Sequence, residues 1–241
     1  MKHKDQYNIV LFGDSIAKGV IYDQDKGKYS VLKNSFAELV QRRIKGIIHN
    51  AGRFGSVITK GRSTLERDVL MKRPDIVVLE FGGNDCDFNW DEIAKNPNGE
   101  FSPKTTLNHY ISVLQDMIRK LMEEGIVPVL MTLPPLDADK YFKWVSKNND
   151  TSAANILTWL GTISRIYWWH ERYNAAIIQV AEEMRVRMID IRGAFLKTED
   201  YREYICEDGI HPNEQGHRLI ADKLIHYMER NYQDMLQPGY S

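Results

Sequence analysis

Asn8-Ile-Val-Leu-Phe-Gly-Asp-Ser15 joins a short apolar run to a polar turn. The run Asn8–Phe12 is too short for a helix, is built from branched and aromatic residues, and stops at glycine. Those features predict a strand buried on both faces. Four more runs repeat the pattern: Gly46–His49 (GIIH), Asp75–Phe81 (DIVVLEF), Ile126–Thr132 (IVPVLMT) and Arg187–Ile191 (RMIDI), each followed closely by Gly, Pro, Asn or Asp.

Longer segments with helical spacing lie between the runs: Ser35–Ile44, Thr105–Glu124, Arg172–Arg185 and Glu214–Arg230. In the second, Leu107, Ile111, Leu114, Ile118 and Leu121 recur every three or four residues, and Gly125 closes the helix in a left-handed conformation. Strands alternating with helices imply right-handed crossovers and a sheet covered on both sides. The predicted fold is α/β, a three-layer α/β/α sandwich on a five-stranded parallel sheet. No composition shift or Pro/Ser-rich linker divides the chain, so residues 1–241 read as one domain. Residues 135–167 lack a clean pattern and are rich in aromatics, including Trp144 and Trp159. A long connection of that kind is either a functional lid or an insertion whose aromatics pack on the body.

The bulk numbers exclude several classes. With 241 residues, 43% hydrophobic, 27% charged and a net charge of -1, the chain has material for a core and no basic excess to attract nucleic acid or an anionic membrane. The two cysteines, Cys86 and Cys206, are too few for a disulfide framework and stand in no CxxC pair; they read as buried or half-buried free thiols. The apolar stretch behind the charged N-terminus is about five residues, short for a signal peptide. No window approaches the roughly 20 apolar residues of a membrane span. The expected setting is the cytoplasm.

In a parallel α/β sheet, ligands bind beyond the carboxyl ends of the strands. Polar clusters follow four of the predicted strands: Gly13-Asp14-Ser15, Asn50 through Gly55, Gly82-Gly83-Asn84-Asp85, and Asp208-Gly-Ile-His211-Pro212-Asn213. Each has chemistry to offer. A serine hydroxyl becomes a nucleophile when a base takes its proton. Imidazole suits that near neutral pH, and a carboxylate holds its tautomer. Asp208 and His211 are spaced to share one side of a tight turn, with Asn213 as N-cap of the last helix. The Ser15 and Gly55 backbone N–H groups and the Asn84 amide are candidate oxyanion donors. Taken singly, each cluster also reads as a turn or a helix start; order and shared placement favour function. Asp14 and Asp85 read as turn-fixing acceptors rather than chemical groups, and His217 as surface or helix packing. Arg53 and Phe54 are candidates to border the substrate pocket.

Together the four clusters resemble the blocks of the SGNH hydrolases, also called GDSL esterases/lipases, over Asn8 to Met228 and in the family's order. Ile16 stands where the family usually has leucine. The resemblance implies a flavodoxin-like fold with Ser15 as nucleophile, His211 as base and Asp208 as its partner. It implies an oxyanion hole of Ser15, Gly55 and Asn84, and no metal or organic cofactor. It allows esters of lipids, thioesters and acetyl groups on sugars. The expected substrate is a small acyl ester, such as an acetylated carbohydrate or lysolipid, with Arg53, Phe54, Trp144 and Trp159 as candidate contacts. Two other readings compete. A metal-dependent phosphoesterase would use Asp14, Asn84, Asp85, Asp208 and His211 as ligands but leaves Ser15 without a role. A non-catalytic binding module would keep the fold alone.

Overall fold

Residues Tyr7–Gly13 form strand β1 of a computed structural model that describes residues 6–237; Met1–Asp5, at the head of the N-terminal stretch discussed above, and 238–241 lie outside the described residues. In chain order there follow α1 (Ser15–Lys18), β2 (Val20–Asp23), β3 (Lys28–Val31), α2 (Phe36–Gln41), β4 (Gly46–Asn50), α3 (Ile58–Asp68) and β5 (Ile76–Glu80). Next come α4 (Trp90–Lys95), α5 (Leu107–Glu123), β6 (Val127–Met131), α6 (Ala138–Val145), α7 (Asp150–Leu160) and α8 (Ser164–Met184). β7 (Arg187–Ile189), α9 (Ile191–Leu196) and α10 (Glu214–Asn231) complete the order.

The five predicted strands form one parallel sheet in the order β4-β1-β5-β6-β7. The chain leaves β1 to one side for β4 and then crosses to the other side for β5, which is the flavodoxin-like winding. The topological switch therefore lies beyond the carboxyl ends of β1 and β5, where Ser15 and Asn84 follow. Alternation along the strands splits the core in two. Val10, Phe12, Val77 and Leu79 face α3, α5 and α8, while Ile9, Leu11, Ile76 and Val78 face α2, α9 and α10. Burying each of these side chains contributes about 1.5–3 kcal/mol. Both cysteines are buried and unpaired.

Three features depart from the sequence reading. Residues 135–167 are mostly helical: α6 and α7 occupy that stretch, and α8 begins at Ser164 rather than Arg172. Their aromatics pack into a third cluster with α4, centred on Phe88, Trp90, Tyr141, Ile156 and Leu160, instead of on the sheet. The apolar residues thus serve several directions and show no single period. Their caps are ordinary, however. Asp137 accepts from Asp139 and Lys140 N–H groups, Asn149 from Ser152, and Gly161 ends α7 with φ 76°. The antiparallel hairpin β2–β3 was not predicted. Neither was α3, whose apolar residues are too sparse to mark a stripe. No helix of the described residues is long and apolar enough to cross a membrane.

Candidate active site

β1 ends at Gly13, and Asp14 caps the short α1 by accepting the Ile16 N–H at 2.8 Å. Ser15 is therefore the first residue of a helix, at the carboxyl edge of the sheet. It is buried except for 6% of its surface. Gly13 is required here, because a Cβ would lie 2.2 Å from the Glu80 carbonyl oxygen on the neighbouring strand.

The turn before α10 approaches from the other side of the sheet's rim. Asp208 Oδ1 accepts the main-chain N–H groups of Ile210 and His211, both at 3.1 Å, and its Oδ2 lies 2.5 Å from His211 Nδ1. Gly209 has φ 79° in this turn, and a Cβ there would meet the Tyr141 nitrogen at 2.4 Å. A carboxylate only accepts, so the proton of the ring sits on Nδ1 and Nε2 offers a lone pair. That lone pair faces Ser15 Oγ at 2.8 Å. Asp208 and His211 are both buried. Asn213 caps α10 as expected, accepting from Gly216.

The two remaining clusters close the same space. Asn50 ties its loop to α1 through the Ala17 carbonyl at 2.8 Å, and Gly52 packs so closely on Lys18 that a Cβ would lie 2.3 Å from its nitrogen. This loop delivers Gly55, in the left-handed region at φ 68°, to the pocket wall. Asn84 is not in a positive-φ turn. It donates one amide N–H to Asp14 Oδ2 at 3.0 Å, leaving the second proton for the pocket it lines. Tyr110 donates to the Phe81 carbonyl at 2.8 Å and so fixes the start of that loop. Asp85 accepts the Ile58 N–H at the head of α3. Burial pushes its carboxyl up to about 6.

Glu80, at the end of β5, lies beneath this assembly. Its Oε2 accepts N–H groups from Asp14 at 3.4 Å and Ala17 at 3.2 Å. Burial raises both the Asp14 and the Glu80 carboxyls, Glu80 far more because the Asp14 charge adds to it. The two buried carboxyls disfavour each other's charge, and the larger upward shift falls on Glu80.

An apolar pocket of about 130 Å³ opens over Ser15 and His211. Phe54 and Trp159 line it, together with Phe88, Trp90, Tyr141 and Trp169. Phe54 lies parallel to the His211 ring at 6.2 Å. Arg53 and Trp144 are placed elsewhere. The Arg53 guanidinium turns back to Asp68 at 2.9 Å. Trp144 stands behind the hairpin, edge-on to Tyr22 at 4.6 Å and to Tyr29 at 6.2 Å. Tyr29 is the residue that sequence reasoning missed. Its ring lies 5.2 Å from that of His211, and its hydroxyl lies beside the Asp208 carboxylate. Burial first, and then the Asp208 charge, hold this phenol well above its usual range. The alternating Val20–Tyr22 and Tyr29–Val31 around Asp25-Lys-Gly27 were the available signal for the hairpin. His217 is fully buried, stacked on Phe36 at 5.7 Å; this settles helix packing over a surface position. Among the described residues no group of three or more His, Cys, Asp or Glu is placed to hold a metal ion.

A model of the GDSL-like lipase/acylhydrolase family matches residues 11–219, from β1 into α10. The chain belongs to that family. As a GDSL-like hydrolase it cleaves ester bonds by serine-hydrolase chemistry. It is 25% identical over 224 residues to the GDSL esterase/lipase WDL1 of Oryza sativa subsp. japonica, covering 91% of this chain and 76% of the rice protein. It is 23% identical over 220 residues to the GDSL esterase/lipase CPRD49 of Arabidopsis thaliana, covering 90% and 77%. Among solved structures, the lipase/acylhydrolase of Enterococcus faecalis superposes with a TM-score of 0.69 at 21% identity, covering 98% of this chain and 100% of that one. The acetylxylan esterase Axe2 of Geobacillus stearothermophilus superposes with a TM-score of 0.65 at 20% identity, covering 98% and 99%. Both superpositions establish a shared fold.

Proposed function

We propose that this GDSL-like hydrolase cleaves a small acyl ester through an acyl-enzyme on Ser15. The observation that carries the reading is the unbroken line from Ser15 Oγ to His211 Nε2 at 2.8 Å and from His211 Nδ1 to Asp208 at 2.5 Å. His211 takes the hydroxyl proton as Oγ attacks the ester carbonyl, and Asp208 stabilises the imidazolium. The tetrahedral oxyanion is held by the N–H groups of Ser15 and Gly55 and by the free amide proton of Asn84. His211 then protonates the departing alcohol. A water molecule, deprotonated by the same imidazole, releases the acid. Asp14, Asp85 and Glu80 take no proton from substrate; Asp14 and Asp85 accept from backbone groups and from Asn84, and Glu80 accepts the Asp14 and Ala17 N–H groups through Oε2.

The pocket supports a small substrate with an apolar or stacking surface. The helices between β6 and β7 bring Tyr141, Trp159 and Trp169 to its aromatic wall, where Trp159 meets Phe88 at 5.0 Å. Two solved relatives of the fold are described as a lipase/acylhydrolase and an acetylxylan esterase. The walls here favour an acetylated carbohydrate over a long-chain lipid, because the free volume is modest. Phe54 and Trp159 are the proposed contacts; Arg53 and Trp144 support the site from outside. Hydrolysis of p-nitrophenyl acetate by wild type and Ser15→Ala, with chelator present, tests the reading. Turnover by wild type alone is the expected result, and equal turnover by the variant would overturn it.

A further inference from the structure

α8 passes His170 to the wall of the same pocket that holds Ser15 and His211. Its ring is 6% exposed. Nδ1 faces the Arg192 guanidinium, with Nη1 at 3.4 Å. Guanidinium has only donors, so Nδ1 must accept and the ring proton is fixed on Nε2. Burial, and then the Arg192 charge, lower this imidazole to about 3, so the ring is neutral. Arg192 is itself held in place by the Leu133 carbonyl at 3.3 Å and by an ion pair with Glu171 at 2.5 Å. The outcome is a rigid, uncharged N–H donor. The hydrogen bonds of the described residues include none to Nε2, and His170 lines a pocket whose nearby walls include Trp159, Trp169, Phe88 and Leu160.

A donor left unpaired in an apolar pocket carries the desolvation cost of a missing hydrogen bond. A plain alkyl group in this space keeps that cost; a ligand oxygen removes it. The mechanism proposed above gives His170 nothing to do. The ring is neutral, so it asks only for an acceptor oxygen, such as a hydroxyl, ring ether or ester carbonyl; Arg165, which lines the same pocket, is turned to the Leu160 carbonyl at 3.3 Å. The aromatic faces beside it accept the weakly positive C–H bonds of a sugar ring. We infer that His170 is a specificity-determining residue whose Nε2–H binds a neutral oxygen of an O-acyl carbohydrate, so that the pocket selects sugar esters over alkyl esters of the same size. The inference rests on the ester-hydrolase reading of the site and names its substrate class.

The test is calorimetric binding at pH 7 to the Ser15→Ala protein, which holds substrate without consuming it. The ligands are methyl 4-O-acetyl-xylopyranoside and cyclohexyl acetate, each with one six-membered ring and one acetyl group, which differ in the ring, hydroxyl and methoxy groups. Ser15→Ala should bind the sugar ester at least tenfold more tightly. Adding His170→Phe should remove that preference while leaving cyclohexyl acetate affinity unchanged. Adding His170→Gln, which keeps an acceptor for Arg192 and a donor for the pocket, should retain most of it. Equal affinity for both ligands in Ser15→Ala would overturn the inference even if His170→Phe does not fold, and so would an undiminished preference in a folded His170→Phe. Fluorophosphonate labelling of wild type reads the triad separately. Failed labelling with an intact binding preference removes the catalytic reading and leaves the recognition role, and the reverse result removes only the recognition role.

Discussion

Asn84 Nδ2 lies 3.0 Å from Asp14 Oδ2, and this bond locks the loop after β5 to the turn that carries Ser15. Two strand ends that are neighbours in the sheet but 70 residues apart in sequence are thereby held in one register. The proposed oxyanion donor is aligned before any substrate arrives.

Asn84→Ala removes that donor and its tie. Losing one oxyanion donor typically costs about 2.7–4 kcal/mol of barrier stabilisation. The expected outcome is a kcat lower by roughly 10²–10³ with KM little changed and normal far-UV circular dichroism. Steady-state kinetics on p-nitrophenyl acetate checks it; an unchanged kcat removes Asn84 from the oxyanion hole.

Glu80 separates a charge requirement from a hydrogen-bonding one. Burial and the Asp14 charge raise the Glu80 carboxyl and favour its neutral form, so a neutral isostere should serve, because glutamine still accepts the Ala17 N–H. Glu80→Gln is expected to keep kcat within about threefold and stability within roughly 1 kcal/mol, while Glu80→Ala loses several times more by leaving buried groups unpaired. Urea unfolding and kinetics on the two variants decide it. A large loss in Glu80→Gln would mean that the ionised form is required.

Tyr29→Phe tests the hairpin's contribution. The ring stays to pack on Phe54, at 5.1 Å, and only the hydroxyl beside the Asp208 carboxylate goes. Hydrogen bonds to charged groups are worth about 1.5–3 kcal/mol, so kcat should fall roughly tenfold with KM and melting temperature nearly constant. Equal damage to stability and activity would make Tyr29 a packing residue only.

The buried His217 gives a pH signature. Burial holds its pKa at about 4 in the fold, against the usual 6.5 of a free imidazole. A depressed histidine favours the folded state above its unfolded pKa and loses that contribution as pH falls from about 6.5 to about 4. Near pH 5 the loss runs at close to 1.4 kcal/mol per pH unit. Asp85, raised to about 6, acts in the opposite direction as pH falls through that value. The informative quantity is therefore a difference. The stability gap between wild type and His217→Gln in urea should shrink, or reverse in the variant's favour, between pH 7 and pH 5. A gap independent of pH would contradict the buried, neutral state.

Much of this was legible in the sequence because buried parallel strands are continuous apolar runs, and all five runs became sheet strands. The polar clusters were legible for a related reason: strand ends carry the site, so Ser15, Gly55, Asn84, Asp208 and His211 could be gathered on one rim before any coordinates. What escaped was placed by tertiary packing. The helices in 135–167 turn their aromatics toward one another and toward α4, so no stripe marks them, although Asp137, Asn149 and Gly161 did mark their ends. Arg53 follows its Asp68 partner, and Trp144 follows Tyr22 and Tyr29; neither partner is near it in sequence. His170 sits mid-helix, and only the Arg192 contact reveals which of its nitrogens faces the pocket.

Intact-mass measurement after treatment with a fluorophosphonate tests the central claim most directly. Wild type should gain one phosphonyl adduct, mapped by peptide sequencing to Ser15, Ser15→Ala should gain none, and His211→Ala should react far more slowly. An adduct on another residue, or equal labelling of Ser15→Ala, would show that Ser15 is not the nucleophile.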